Sequence, residues 1–200
     1  MAARSQAGFT LIELIIVMAI SSVLAVMIIA GFATLRQSAQ FTNTIERTKE
    51  SVVAKRTEAL ATIKLSGGMD SANVTMGRLL TFTPNSSTIQ VQTLYTANNL
   101  APTAAQPVYT VPSEDTTISL DWGVKYSGAA IEQVAFTRSP VDGSLRTAVS
   151  PGGGWGTTTF QYGNFTPSGT TYTLQLTDPY GRRAVITIDV TNNSVTRTYL

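Results

Sequence analysis

Gly8-Phe9-Thr10-Leu11-Ile12-Glu13-Leu14-Ile15-Ile16-Val17-Met18-Ala19-Ile20 is the stretch that decides how this chain is built. The residues ahead of Phe9 form a short polar segment with one charge, Arg4. From Leu14 to Leu35 there is neither a charge nor a proline. At 1.5 Å per residue that run makes roughly 33 Å of helix, about the thickness of a bilayer core. One carboxylate, Glu13, stands just ahead of the run, four residues after Phe9. A secretory signal places its cleavage site after the apolar segment. Here the small-residue junction, Gly8–Phe9, comes before it.

Outward from this stretch the helical pattern continues. Phe41, Ile45, Val52, Ala59 and Ile63 recur at spacings of four or seven, with Val53 and Leu60 beside them. That spacing places them on one face of a helix. Arg47, Lys49, Glu50, Lys55, Arg56 and Glu58 fill much of the remainder. Gly67-Gly68 is the first strong stop. The pattern predicts one helix from Phe9 to about Leu65, roughly 85 Å long. Its first half is apolar all round and its second half amphipathic. The alternative for the second half is a separate surface helix after a linker, although only Gly31 interrupts residues 30 to 40.

Beyond Gly68 the period changes to two. Thr88–Thr96 alternates as a strand should, and Val108–Val111, Thr116–Leu120, Glu132–Arg138 and Thr157–Tyr162 are weaker candidates. Turns are predicted at Pro140-Val141-Asp142-Gly143 and at Asp178-Pro179-Tyr180-Gly181, and a loop over Ser150–Gly156. Thr170–Thr177 puts Tyr172, Leu174 and Leu176 on one face, and Arg183–Val190 does the same with Ala184, Ile186, Ile188 and Val190. Asn192-Asn193 then turns the chain into Ser194–Tyr199. Three strands joined by tight turns make an antiparallel meander able to lie against the helix.

Composition narrows the function. Histidine and cysteine are both absent. A His-based general base, a Ser-His-Asp triad, a thiolate metal site and a disulfide are therefore excluded. Charged residues make up only 13% of the chain, which with abundant Thr, Ser and Gly suits an exported β-rich domain. Residues 66 to 200 carry seven Lys/Arg against eight Asp/Glu, so the globular part has no basic field to attract a polyanion.

Gly8 followed by Phe9-Thr10-Leu11-Ile12-Glu13 and a long apolar run resembles the leader of type IV prepilins and type II secretion pseudopilins. The resemblance implies an α+β, pilin-like fold: a long N-terminal helix, membrane-spanning in its first half, packed on a C-terminal antiparallel sheet domain. It implies cleavage between Gly8 and Phe9 by a membrane-embedded prepilin peptidase, which also methylates the new amino terminus of Phe9. The expected parts are a leader at residues 1–8, a transmembrane and assembly segment at 9–35, an amphipathic segment at 36–66 and a β-rich head at 67–200. The subunit would sit as a single-pass protein in the bacterial inner membrane with its head outside the cytoplasm. From there it would enter a pilus or pseudopilus by helix contacts with other subunits. Such a protein is a structural subunit and not an enzyme, with no cofactor and no catalytic residue.

Two further segments resemble the FimT/GspH group of minor pilins and pseudopilins: Ala54-Lys55-Arg56-Thr57-Glu58-Ala59-Leu60, and Asp178-Pro179-Tyr180-Gly181-Arg182-Arg183 ahead of an alternating strand. The chain departs from the pattern twice. Ile29-Ala30-Gly31 stands where many pilins have a proline, and Gly181-Arg182-Arg183-Ala184 replaces the Gly-Arg-x-Arg of DNA-binding relatives. Between Asn73 and Thr170 the sequence resembles no family.

Three sites are weighed on chemistry. Glu13 is read as the assembly contact, since a carboxylate near hydrocarbon is costly unless paired, and the Phe9 ammonium of a neighbouring subunit would pair it. Its alternative is a carboxylate reaching the headgroups. Arg182 and Arg183 are read either as phosphate contacts to DNA or as turn residues paired with Asp178 or Asp189, and the missing basic field favours the second. Calcium needs six to eight oxygens and no dense Asp/Asn cluster offers them, so no metal is expected. Trp122, Trp155 and the tyrosines are expected in the core or at its rim.

Overall fold

The computed structural model describes residues 10–60, 73–97, 107–110, 115–138, 145–150, 155, 159–161, 171–192 and 194–200. The chain divides into two units, Met1–Gln40 and Phe41–Leu200. One helix, α1 (Leu11–Glu58), begins in the first and ends in the second. It runs without a break, which disposes of a linker before the amphipathic half. The helix starts at Leu11 and gives way to a turn at Ala59-Leu60, short of the expected Leu65. Ile63 and Gly67-Gly68 lie outside the described residues.

In the first unit every described residue up to Leu35 is exposed, Leu11, Ile20 and Phe32 among them. Residues Leu11 onward are long and apolar enough to cross a membrane. In the second unit the helix has a buried stripe. Phe41, Ile45 and Val52 are buried with Thr44 and Thr48 between them, and Ala59 extends the line. Thr48 is accommodated because its hydroxyl donates to the Thr44 carbonyl at 2.8 Å. Leu60, predicted beside the stripe, stays exposed.

Eleven strands follow among the described residues: β1 (Asn73–Phe82), β2 (Thr88–Ala97), β3 (Pro107–Thr110), β4 (Thr116–Ser119), β5 (Lys125–Tyr126), β6 (Glu132–Arg138), β7 (Leu145–Val149), β8 (Thr159–Gln161), β9 (Thr171–Thr177), β10 (Arg183–Asp189) and β11 (Ser194–Tyr199). All pairings are antiparallel. One sheet has the order β7-β6-β1-β2-β3-β8 with β4 also on β2, and the other runs β11-β10-β9-β5. The expected meander β9-β10-β11 is present, and β5 extends it. The turns at Pro140–Gly143 and most of the Ser150–Gly156 loop fall outside the described residues.

The main core lies where α1 meets both sheets. Phe41, Ile45 and Val52 pack with Leu80, Phe82, Val134 and Phe136 from the larger sheet and with Leu174, Leu176 and Ile186 from the smaller. The larger sheet also buries its opposite face, where Met76, Leu79, Leu94, Val108, Ala135 and Ala148 form a second cluster with Trp155 against it. Gly77 marks a β-bulge in β1. A Cβ there would come within 1.9 Å of the Phe136 carbonyl oxygen, so the close approach of β1 to β6 requires glycine.

Ion pairs join the helix to each sheet. Glu46 pairs with Arg197 on β11, and Glu58 lies 3.4 Å from Arg78 on β1 while holding Lys55 at 2.9 Å. Between the sheets, burial and the neighbouring Glu132 push the hydroxyls of Tyr126 and Tyr172 well above the ordinary tyrosine range.

Candidate functional site

The start of α1 is built from two side chains that hold each other. Thr10 donates from its backbone nitrogen and from its hydroxyl to the Glu13 carboxylate, each at 2.9 Å. The Glu13 backbone nitrogen donates back to the Thr10 hydroxyl at 3.3 Å. This reciprocal pattern is a capping box, in which Thr at the N-cap and Glu at N3 satisfy each other's free donors. The Thr-x-x-Glu spacing ahead of an apolar run signals it in the sequence, beside the assembly and headgroup readings of Glu13. Because the cap uses a carboxylate at the positive end of the helix, the dipole favours the charge as well. Glu13 nevertheless stays fully open to a partner. Gly8 and Phe9 lie outside the described residues.

The turn after β9 binds its own arginine. Gly181 donates to the Asp178 carbonyl at 3.1 Å and Asp178 donates to Arg182 at 3.1 Å, with Gly181 at φ 82°. Pro179 in the second position of the turn and a glycine in left-handed geometry suit that loop. The Asp178 side chain is 2% exposed. It accepts from the backbone nitrogens of Tyr180 and Arg182 at 3.0 and 2.8 Å and from the Arg182 guanidinium at 2.6 and 2.7 Å. Arg182 also lies over the rings of Phe41 and Tyr180, 5.3 and 5.5 Å from their centroids. Its charge is therefore spent inside the head, as the turn-pairing reading expects. Arg183 differs. It is exposed and lines a cleft with Lys125, so the structure separates the two arginines that the sequence set side by side.

The turn after β10 falls where Asn192 marked it, and Trp122 departs from expectation. The turn after β10 is organised by Asp189, which accepts from the backbone nitrogens of Asn192 and Thr191 at 2.9 and 2.8 Å and from the Asn192 side chain at 2.8 Å. The Asn192 bonds chiefly hold its carboxyl below the ordinary carboxylate range. Asn193 lies outside the described residues. Trp122 is not in the core. It is 59% exposed because it occupies a tight turn at φ 59°, closed by the Val124 nitrogen donating to the Asp121 carbonyl at 3.2 Å.

Residues 3–29 match the family model described as the prokaryotic N-terminal methylation motif. The N-terminal segment therefore carries a prokaryotic methylation motif, as the pilin-type resemblance expects. The matched residues span the Gly8–Phe9 junction, the capping box and most of the exposed apolar run. Neither a curated protein nor a solved structure matches the chain. In this pilin-type arrangement the long apolar helix and the antiparallel β head are both present, and the exposed apolar residues are suited to a lipid or helical environment. No group of three acidic side chains that could hold a metal occurs among the described residues.

Proposed function

We propose that the chain is a structural subunit of a pilus or secretion pseudopilus and not an enzyme, and that it is a minor component of the FimT/GspH kind. The methylation-motif match over residues 3–29 carries this reading. In it, prepilin peptidase cuts between Gly8 and Phe9 and methylates the Phe9 nitrogen. The processed subunit waits in the inner membrane as a single-pass protein and then joins its neighbours through the apolar half of α1. Lipid tails are as apolar as leucine, so helices of this kind gain little from apolar contact alone and need a polar contact to fix their register. Glu13 is the only charged side chain between Arg4 and Arg36. Its partner is the Phe9 ammonium of the incoming subunit. The capping box adds a point to this scheme: Thr10 holds the carboxylate in place before the partner arrives.

Coexpression with a prepilin peptidase followed by intact-mass measurement tests the proposal. The expected product lacks Met1 to Gly8 and carries one added methyl group. An unchanged mass would end the reading. The minor-subunit assignment predicts few copies per filament, counted by quantitative mass spectrometry of sheared filaments, and a stoichiometry equal to the most abundant subunit would remove it.

The second reading, a DNA-binding subunit for DNA uptake, keeps the same anchor. It loses Arg182 as a phosphate contact, because Asp178 already neutralises that guanidinium, and it retains only Arg183. Gel shifts with duplex DNA at increasing salt test it, since phosphate contacts release counterions and weaken steeply.

A further inference from the structure

A cleft of about 390 Å³ opens on the head where β5, β9 and the start of β10 lie side by side. Lys125 and Arg183 both pair in register with Thr177. Directly opposed residues in adjacent strands share a face, so the two cations flank Thr177 in one row. Strand spacing sets their Cα atoms roughly 10 Å apart. Both are exposed, and neither has an acidic partner within ion-pair distance among the described residues. The one carboxylate in the wall, Asp178, is consumed by Arg182. Ser127 and Asn85 supply further hydrogen-bonding groups.

Two exposed aromatics stand next in sequence to residues of the cleft wall. Trp122 precedes Gly123 and Tyr180 follows Pro179, and both Gly123 and Pro179 line the cleft. The two turns touch, since a Cβ on Gly123 would meet the Pro179 side chain at 2.8 Å. Trp122 is held at φ 59°, a conformation that disfavours a bulky residue and that Asn or Gly adopts easily. Strain of this kind, at an exposed aromatic next in sequence to a cleft residue, points to a role for the side chain.

We propose that the cleft binds a sparsely charged acidic polysaccharide. The indole face, negative at its centre, packs on the C–H face of a sugar ring. Lys125 and Arg183 take carboxylates on separated sugars, and the hydroxyl and amide groups bond the ring hydroxyls. A nucleic acid carries a phosphate at every unit and needs a continuous positive track. Lys125 and Arg183 are the two cations among the described residues that line the cleft, within a near-neutral domain, which favours the glycan. This site is independent of the assembly role of the N-terminus.

The test titrates the full chain in detergent micelles with a hyaluronan hexasaccharide, whose carboxylates stand on alternate sugars, a neutral glucose hexamer and a six-nucleotide oligothymidine, read by calorimetry and tryptophan fluorescence. The acidic hexamer is expected to bind at least about tenfold more tightly than either other ligand, a difference of about 1.4 kcal/mol. Lys125→Gln combined with Arg183→Gln should weaken it about tenfold or more, and Trp122→Asn, which tolerates the positive φ, by about threefold or more. Absence of binding to the wild type, tighter binding of oligothymidine, or equal binding by the variants would each overturn the proposal. Should a variant fail to fold, acetylation of Lys125 in the wild-type protein decides: the acidic hexamer should protect that lysine, and undiminished acetylation at saturating hexamer would refute the site.

Discussion

The two stretches of α1 use the same kinds of residue to opposite ends. Ile20 is 56% exposed and Ile45 is completely buried. Up to Leu35 the apolar residues surround the helix and every described one is exposed. From Phe41 onward they narrow to a stripe, and the stripe meets two sheets. An apolar residue is thus informative only through its neighbours: all-round apolarity requires an external environment, whereas a stripe requires an internal one.

Substitution to alanine breaks the comparison most directly. Ile45→Ala should destabilise the head by about 2–5 kcal/mol, because it leaves a cavity among Phe41, the sheets and Val52. Ile20→Ala should leave the unfolding midpoint of the head unchanged. Denaturation in detergent, followed by tryptophan emission from the head, measures both, and a similar loss at Ile20 would erase the distinction. Next in size, Gly77→Ala forces β1 away from the Phe136 carbonyl and should cost about 1–3 kcal/mol, as overpacking does. A neutral outcome would mean that the bulge relaxes freely.

A smaller effect depends on pH. Tyr126 and Tyr172 titrate higher in the folded head than in the unfolded chain. Their contribution is fully present below the unfolded tyrosine value of about 10 and is lost as pH rises through the folded values. Stability should therefore decline above about pH 10, and the Tyr126→Phe, Tyr172→Phe double variant should flatten that decline in chemical denaturation curves. An unaltered slope would assign the alkaline loss to other groups. Smallest for the head is Glu13→Ala, expected to leave its stability untouched while lowering the ratio of filament-associated to membrane-pool protein. Equal ratios would remove Glu13 from assembly, and failed leader removal would move it to peptidase recognition.

Legibility in the sequence follows the same division. β9 and β10 agree with expectation to within a residue, because one of their faces is buried and the period is clean; β6 and β11 also fall at the expected bounds, although β6 is buried on both faces. β1 and β7 were not read as strands. Leu79 and Leu80 enter different apolar clusters, as do Ala148 and Val149, so strands buried on both faces lose the alternation that identifies them. β5 has two residues, too few for any period. The Arg182–Asp178 pair was legible as a turn with opposite charges nearby. The cleft was not, since only strand register brings Asn85, Lys125, Thr177 and Arg183 together.

The paired acids of α1 have a mechanical consequence. Glu46 holds β11 and Glu58 holds β1, at points twelve residues and roughly 18 Å apart on the helix. A pull along α1 is shared between two sheets that have no strand in common. Neither sheet can be drawn off without loading the other through the helix. The two ion pairs add to the core in sharing tension between the sheets, and releasing one pin, by Arg197→Ala for example, leaves the smaller sheet held to the helix by the core.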